Sequence, residues 1–169
     1  MMISDESTSK DRFPKRARVK DWLSTEWSLS DFYDPNTHWI LQATSKEGKE
    51  GKAFAVLQTT VFPDQLLIQG NVEVVPEMRK QLTEITDADR RDLLWEIRFG
   101  LLNLGVEFTG VTEPLELVMV RKSIWDDALT RDCFMNRVDE VNAAVIFVLW
   151  TLQRRLPNTE SGVESSSIN

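Results

Sequence analysis

The chain has 169 residues, a hydrophobic fraction of 41% and a net charge of −7. That length fits one domain that buries its core without a disulfide or metal staple. The acidic balance argues against nucleic acid as a partner, because phosphate binding is driven by lysine and arginine. A single cysteine, Cys133, excludes an internal disulfide and fits a reducing, cytoplasmic setting.

Residues 1–15 are polar and charged, lack the apolar run of a signal peptide, and read as a disordered tail. Lys15, Arg16, Arg18 and Lys20 form the one basic cluster. With no aromatic stacking platform beside it, the cluster reads as the solvated start of a helix, not a nucleic-acid arm. Val19, Trp22 and Leu23 share a face at helical spacing, which predicts a first helix over about Ala17 to Glu26. Ser28 to Thr37 then reads as a turn around the breaker Asp34-Pro35-Asn36.

Three strands are predicted next: Thr37 to Thr44, Ala53 to Phe62 and Leu66 to Val75. In the third, Leu66, Ile68, Val72 and Val74 alternate with Leu67, Gln69, Asn71 and Glu73. A charged connection over Ser45 to Lys52 and a tight turn at Pro63-Asp64 make the three an antiparallel meander. Pro76 opens a short helix to about Thr83. Thr86 caps a longer one over Asp87 to Leu104, with the apolar stripe Leu93, Leu94, Ile97, Leu101 and Leu104 and a stop at Gly105. Val106 to Val111 is a possible short strand. Leu115 to Arg121, apolar on both faces, reads as a central, well-covered strand.

The last helix is predicted over Thr130 to Leu156, with Phe134, Val138, Val141, Val145, Val148 and Leu152 recurring at spacings of four and three. No run in the chain reaches the roughly 18 apolar residues of a membrane span. Pro157 to Asn169 is Ser-rich and reads as a second disordered tail. One domain over residues 16–156 remains between the two tails.

Nothing in this pattern assembles catalysis or a cofactor site. His38 is the single histidine, and no Cys-x-x-Cys or Gly-rich phosphate loop occurs. Asp31, Asp34, Asn36 and His38 lack calcium-loop spacing and read as an Asx-rich turn. Cys133, in the first turns of a helix, reads as a small buried hydrophobe and not as a nucleophile paired with His38. The acidic residues Glu84, Asp87, Asp89 and Asp92 complement a helix dipole. The six tryptophans read as core and rim packing.

The last helix carries more apolar surface than one stripe needs. Ala143, Ile146, Phe147 and Trp150 lie opposite the core stripe and form the candidate protein interface. Covering them by the first helix, through Trp22 and Leu23, is the intramolecular alternative.

The fold class is therefore α+β, in the order α-β-β-β-α-(β)-β-α: an antiparallel sheet of a meander plus one or two later strands, packed on one face against the middle and last helices. The stretch Val19 to Leu41, VKDWLSTEWSLSDFYDPNTHWIL, followed by the strand meander and Val72-Glu73-Val74-Val75-Pro76, resembles an uncharacterised archaeal family that carries only a domain-of-unknown-function label. The element order also looks like the type III secretion chaperone-like fold, shared with bacterial proteins described as sensory-transduction regulators. The resemblance implies a homodimer and the binding of extended client segments, with no catalytic residue carried over. The expected function is a non-catalytic protein-binding module, chaperone-like or regulatory. The alternative is a small-ligand sensor or enzyme with a pocket between sheet and helices. No cofactor, metal, nucleic acid or membrane partner is expected.

Overall fold

The computed structural model describes residues 12–47 and 53–156. Most of both predicted tails, and residues 48–52 of the charged connection, lie outside the described residues. The helix α1 (Pro14–Leu23) leads into a meander of four strands: β1 (Trp27–Phe32), β2 (Thr37–Ser45), β3 (Ala53–Thr59) and β4 (Gln65–Glu73). The helices α2 (Pro76–Glu84) and α3 (Asp87–Asn103) follow. Then come the strands β5 (Glu107–Thr109) and β6 (Leu117–Trp125), a single 3-10 turn at Asp126–Ala128, and α4 (Arg131–Arg155). The class is α+β with one six-stranded antiparallel sheet, ordered β1-β2-β3-β4-β6-β5.

The meander holds one strand more than the sequence suggests. Trp27 to Phe32 pairs along its whole length with β2, Trp27 opposite Ser45 and Phe32 opposite Ile40. Its apolar signal is short: Trp27 and Leu29 alternate with Ser28 and Ser30, but Asp31 breaks the pattern after two apolar residues. The Asx-rich turn stands just beyond it: the Asp34 side chain accepts from the Asn36 N–H at 2.7 Å, and the Asp34 carbonyl accepts from the Thr37 N–H at 3.1 Å. α1 starts at Pro14, three residues ahead of the expected Ala17, with proline in the first turn where its missing N–H costs nothing.

Both predicted caps form. Thr86 Oγ1 accepts from the Asp89 N–H at 3.1 Å, and Thr130 Oγ1 accepts from the Cys133 N–H at 3.2 Å. β6 corrects the reading of a central, well-covered strand. It lies between β4 and the three-residue edge strand β5, and Leu117 is exposed on the side away from the core.

One face of the sheet holds the core. Leu41, Val56, Ile68 and Val120 point into it and are fully buried. α4 lies across β3, β4 and β6 and supplies Phe134, Val138, Val141, Val145, Val148 and Leu152, all buried as the periodicity predicts. The approach is closest at Gly70 of β4, where a Cβ would stand 2.5 Å from a Val145 methyl carbon, so only a glycine fits there. α1 flanks α4 over β1 and β2, and α3 flanks it over β5.

The opposite sheet face runs in cross-strand rows. Phe32, Ile40, Leu57, Leu67 and Ser123 form one row; Ser30, Gln42, Ala55, Gln69 and Arg121 form the next.

Candidate functional site

The polar candidates do not converge. The His38 ring lies against Phe13, with centroids 6.0 Å apart. Cys133 is half-buried at the start of α4 beside Asn136, Arg137, Asp139 and Glu140. Asp31 instead serves α1: its carboxylate takes Arg16 on one oxygen and Lys20 at 3.6 Å on the other. The hydrogen bond from Arg16, with the charges of Arg16 and Lys20, holds the Asp31 carboxyl below its ordinary range against a smaller opposing effect of burial. At Glu140 burial pushes the carboxyl up, but hydrogen bonds from Arg137 and Lys122 outweigh it and the net direction is down. Among the described residues no group of three or more His, Cys, Asp or Glu side chains is placed to hold a metal ion.

Large apolar side chains are exposed on both α3 and α4. These helices run antiparallel. Glu96 of α3 takes Arg154 and Arg155 from the end of α4, the latter at 2.7 Å. Four residues along α3, the Phe147 ring of α4 lies on Gly100, and a Cβ at Gly100 would stand 1.9 Å from the ring. Phe147 is thus half-buried in the seam between the helices. Ile146 is also half-buried, whereas Ala143 is exposed and Trp150 is 69% exposed.

Beside them α3 presents Trp95 at 49%, Phe99 at 58% and Leu102 at 65% exposure. Trp95 and Phe99 stack with centroids 5.4 Å apart, and the Arg98 guanidinium lies 4.9 Å from a Trp95 ring centroid. Helical spacing reveals the contribution of α3 in retrospect. Trp95, Phe99 and Leu102 stand at i, i+4 and i+7, a second stripe opposite the core stripe. The first helix does not cover this face. Its Trp22 packs on Phe134, centroids 5.4 Å apart, near the other end of α4.

A family model described as an uncharacterised conserved protein, DUF2299, matches residues 15–152. The chain belongs to the DUF2299 family. The match takes in every described strand and all of α2 and α3, so the fold built above is the family's unit. A crystal structure of an uncharacterised protein from Methanothermobacter thermautotrophicus shares the architecture of this DUF2299 chain. It has a TM-score of 0.75 and 23% sequence identity, and the match covers 83% of this chain and 98% of that one. At that identity the likeness speaks for the fold alone. No curated protein matches the chain. The expected likeness to an uncharacterised archaeal family therefore stands, while neither description supports the secretion-chaperone label. Among the described residues no helix is long and apolar enough to cross a membrane.

Proposed function

We propose that this DUF2299 chain is a non-catalytic protein-binding module that pairs with a second copy of itself through the outer face of α3 and α4. The observation that carries the reading is the exposure of Trp95, Phe99, Leu102 and Trp150 on two adjacent antiparallel helices. Large side chains present about 150–250 Å² each, so these exposures amount together to roughly 350–600 Å². A monomer's largest patch is commonly about 300–600 Å² and often functional. A stable interface takes roughly 800 Å² per partner, so a polar rim would have to supply the remainder.

The rim favours a second copy. The two helices expose charges of both signs, Arg91 and Asp92 on α3 and Asp139 and Arg154 on α4, and a surface of both signs can be self-complementary under a two-fold axis. A partner of one strong charge would suit only part of it. Aromatic anchors at the centre and charges at the edge follow the usual distribution of binding energy in an interface.

Light scattering over a wide concentration range tests the reading. The wild type is expected at dimer mass and Trp95→Glu with Trp150→Glu at monomer mass, with unchanged circular dichroism because both side chains are exposed. Leu57→Glu, on the open sheet face, is expected to leave the dimer intact. A wild type that stays monomeric at every concentration overturns the self-pairing. A dimer broken by Leu57→Glu and not by the tryptophan changes would place the interface on the sheet.

A further inference from the structure

A second feature lies apart from this face. Between α2, the first half of α3 and residues 113–116 there is a cleft of about 590 Å³, a size ordinary for a small-molecule site. Leu82, Leu93, Leu94, Pro114 and Leu115 make its walls.

Four charged side chains line it, in two pairs of different standing. Arg90 is satisfied: Nε donates to Glu113 at 3.2 Å, Nη1 to the carbonyls of Leu82 and Ile85 at 2.8 and 3.1 Å, and Nη2 pairs with Asp87. Arg79 is half-buried and Glu116 exposed, and both are more loosely engaged. Both are tied to one residue, Val74. Its N–H donates to the Glu116 carbonyl at 2.8 Å, and its carbonyl accepts from Arg79 Nε at 2.7 Å. Arg79 Nη2 reaches Glu73 only at 4.0 Å, and among the described residues the exposed Glu116 carboxylate makes no ion pair. A cation and an anion thus line one cleft, and among the described residues no ion pair joins them.

We propose that this cleft binds a free α-amino acid with a large apolar side chain. The Arg79 fork takes the α-carboxylate, Glu116 takes the α-ammonium, and the leucines enclose the side chain. A simple carboxylic acid would meet the uncompensated charge of Glu116, and a simple amine that of Arg79, so the zwitterion fits where neither half does. The site is independent of the α3–α4 face.

Calorimetric titration of the full chain with L-leucine, L-phenylalanine, isocaproate and isoamylamine tests it, with methyl NMR shifts of Leu82, Leu93, Leu94 and Leu115 locating the site. An amino acid is expected to saturate the protein, and each truncated probe to bind about tenfold or more weakly. Arg79→Gln is expected to weaken the amino acid about tenfold while relieving the amine. Glu116→Gln is expected to weaken it similarly while relieving the acid. Because Arg79 also bonds Val74, the exposed pair Glu116→Gln and Thr83→Trp keeps the test sound if Arg79→Gln fails to fold. Thr83→Trp is expected to block binding by filling the rim. No saturation by either amino acid, unchanged affinity in Glu116→Gln, or methyl shifts confined to Leu102 on the outer face of α3 would overturn the proposal.

Discussion

Asp31 joins two elements that the sequence keeps apart. It sits on β1 and holds Arg16 and Lys20 of α1, so the first helix is fastened to the edge of the sheet by charge as well as by Val19 and Leu23. Its folded pKa is lowered, chiefly by the Arg16 hydrogen bond, so the stabilisation is complete above the ordinary Asp value of about 3.9 and is lost as pH falls through the folded value. Glu140, also lowered in net, titrates in the same sense. Asp31 is more than half exposed, so the contribution is at most about 1 kcal/mol and is screened by salt. Asp31→Asn is therefore expected to lose up to that much unfolding free energy near neutral pH and to converge with wild type toward pH 2. Urea unfolding across pH checks it; a constant difference at all pH values would reject the ion-pair account. The sequence showed Asp31 as a turn residue and Arg16 as a solvated helix start. The pairing was not legible because it needs β1, whose existence depends on a strand that comes after it.

At the scale of elements, α4 was legible and α3 only half so. The six-residue stripe of α4 reports its own burial, because a helix on a sheet needs one apolar face. The two threonine caps were equally plain, since capping is local chemistry. What the sequence concealed is the seam between the helices, where Gly100 makes room for Phe147, and this sets a sign-reversing test. Gly→Ala in a helix interior ordinarily gains about 1 kcal/mol, while overpacking costs roughly 1–3 kcal/mol. Gly100→Ala is expected to lower stability in wild type and to raise it by about 1 kcal/mol in a Phe147→Ala background, where the ring is gone. Thermal or urea unfolding of the four proteins gives the coupling directly. β1 was missed for a different reason. Edge strands are blunted by polar and charged residues, and Asp31 cuts the alternation of Trp27 and Leu29 to two apolar residues.

For the whole molecule, the asymmetry of the sheet matters most. Its core face is covered by α1, α3 and α4, and its other face is a half-polar surface of amides, hydroxyls and a few aliphatics. Ile40→Lys on that face is expected to change stability by less than about 1 kcal/mol, as judged by urea midpoint, while Val145→Lys on the core face is expected to abolish folding. The helices that cover the core face expose Trp95, Phe99 and Trp150 on their outer side. The strand order has a further consequence, in time rather than in space. β4 and β6 come from distant parts of the chain, yet they pair over nine residues beneath α4, with Val141 and Val145 on Gly70. β1 and β5 are each held by a single neighbour. Amide hydrogens should exchange with deuterium in that order: β5 and β1 first, through local opening, and β4 with β6 last, at the rate of global unfolding. Mass-resolved exchange that found β1 as slow as β4 would contradict it. The protein would then breathe from both edges toward β4 and β6, the two strands it can release only by coming apart.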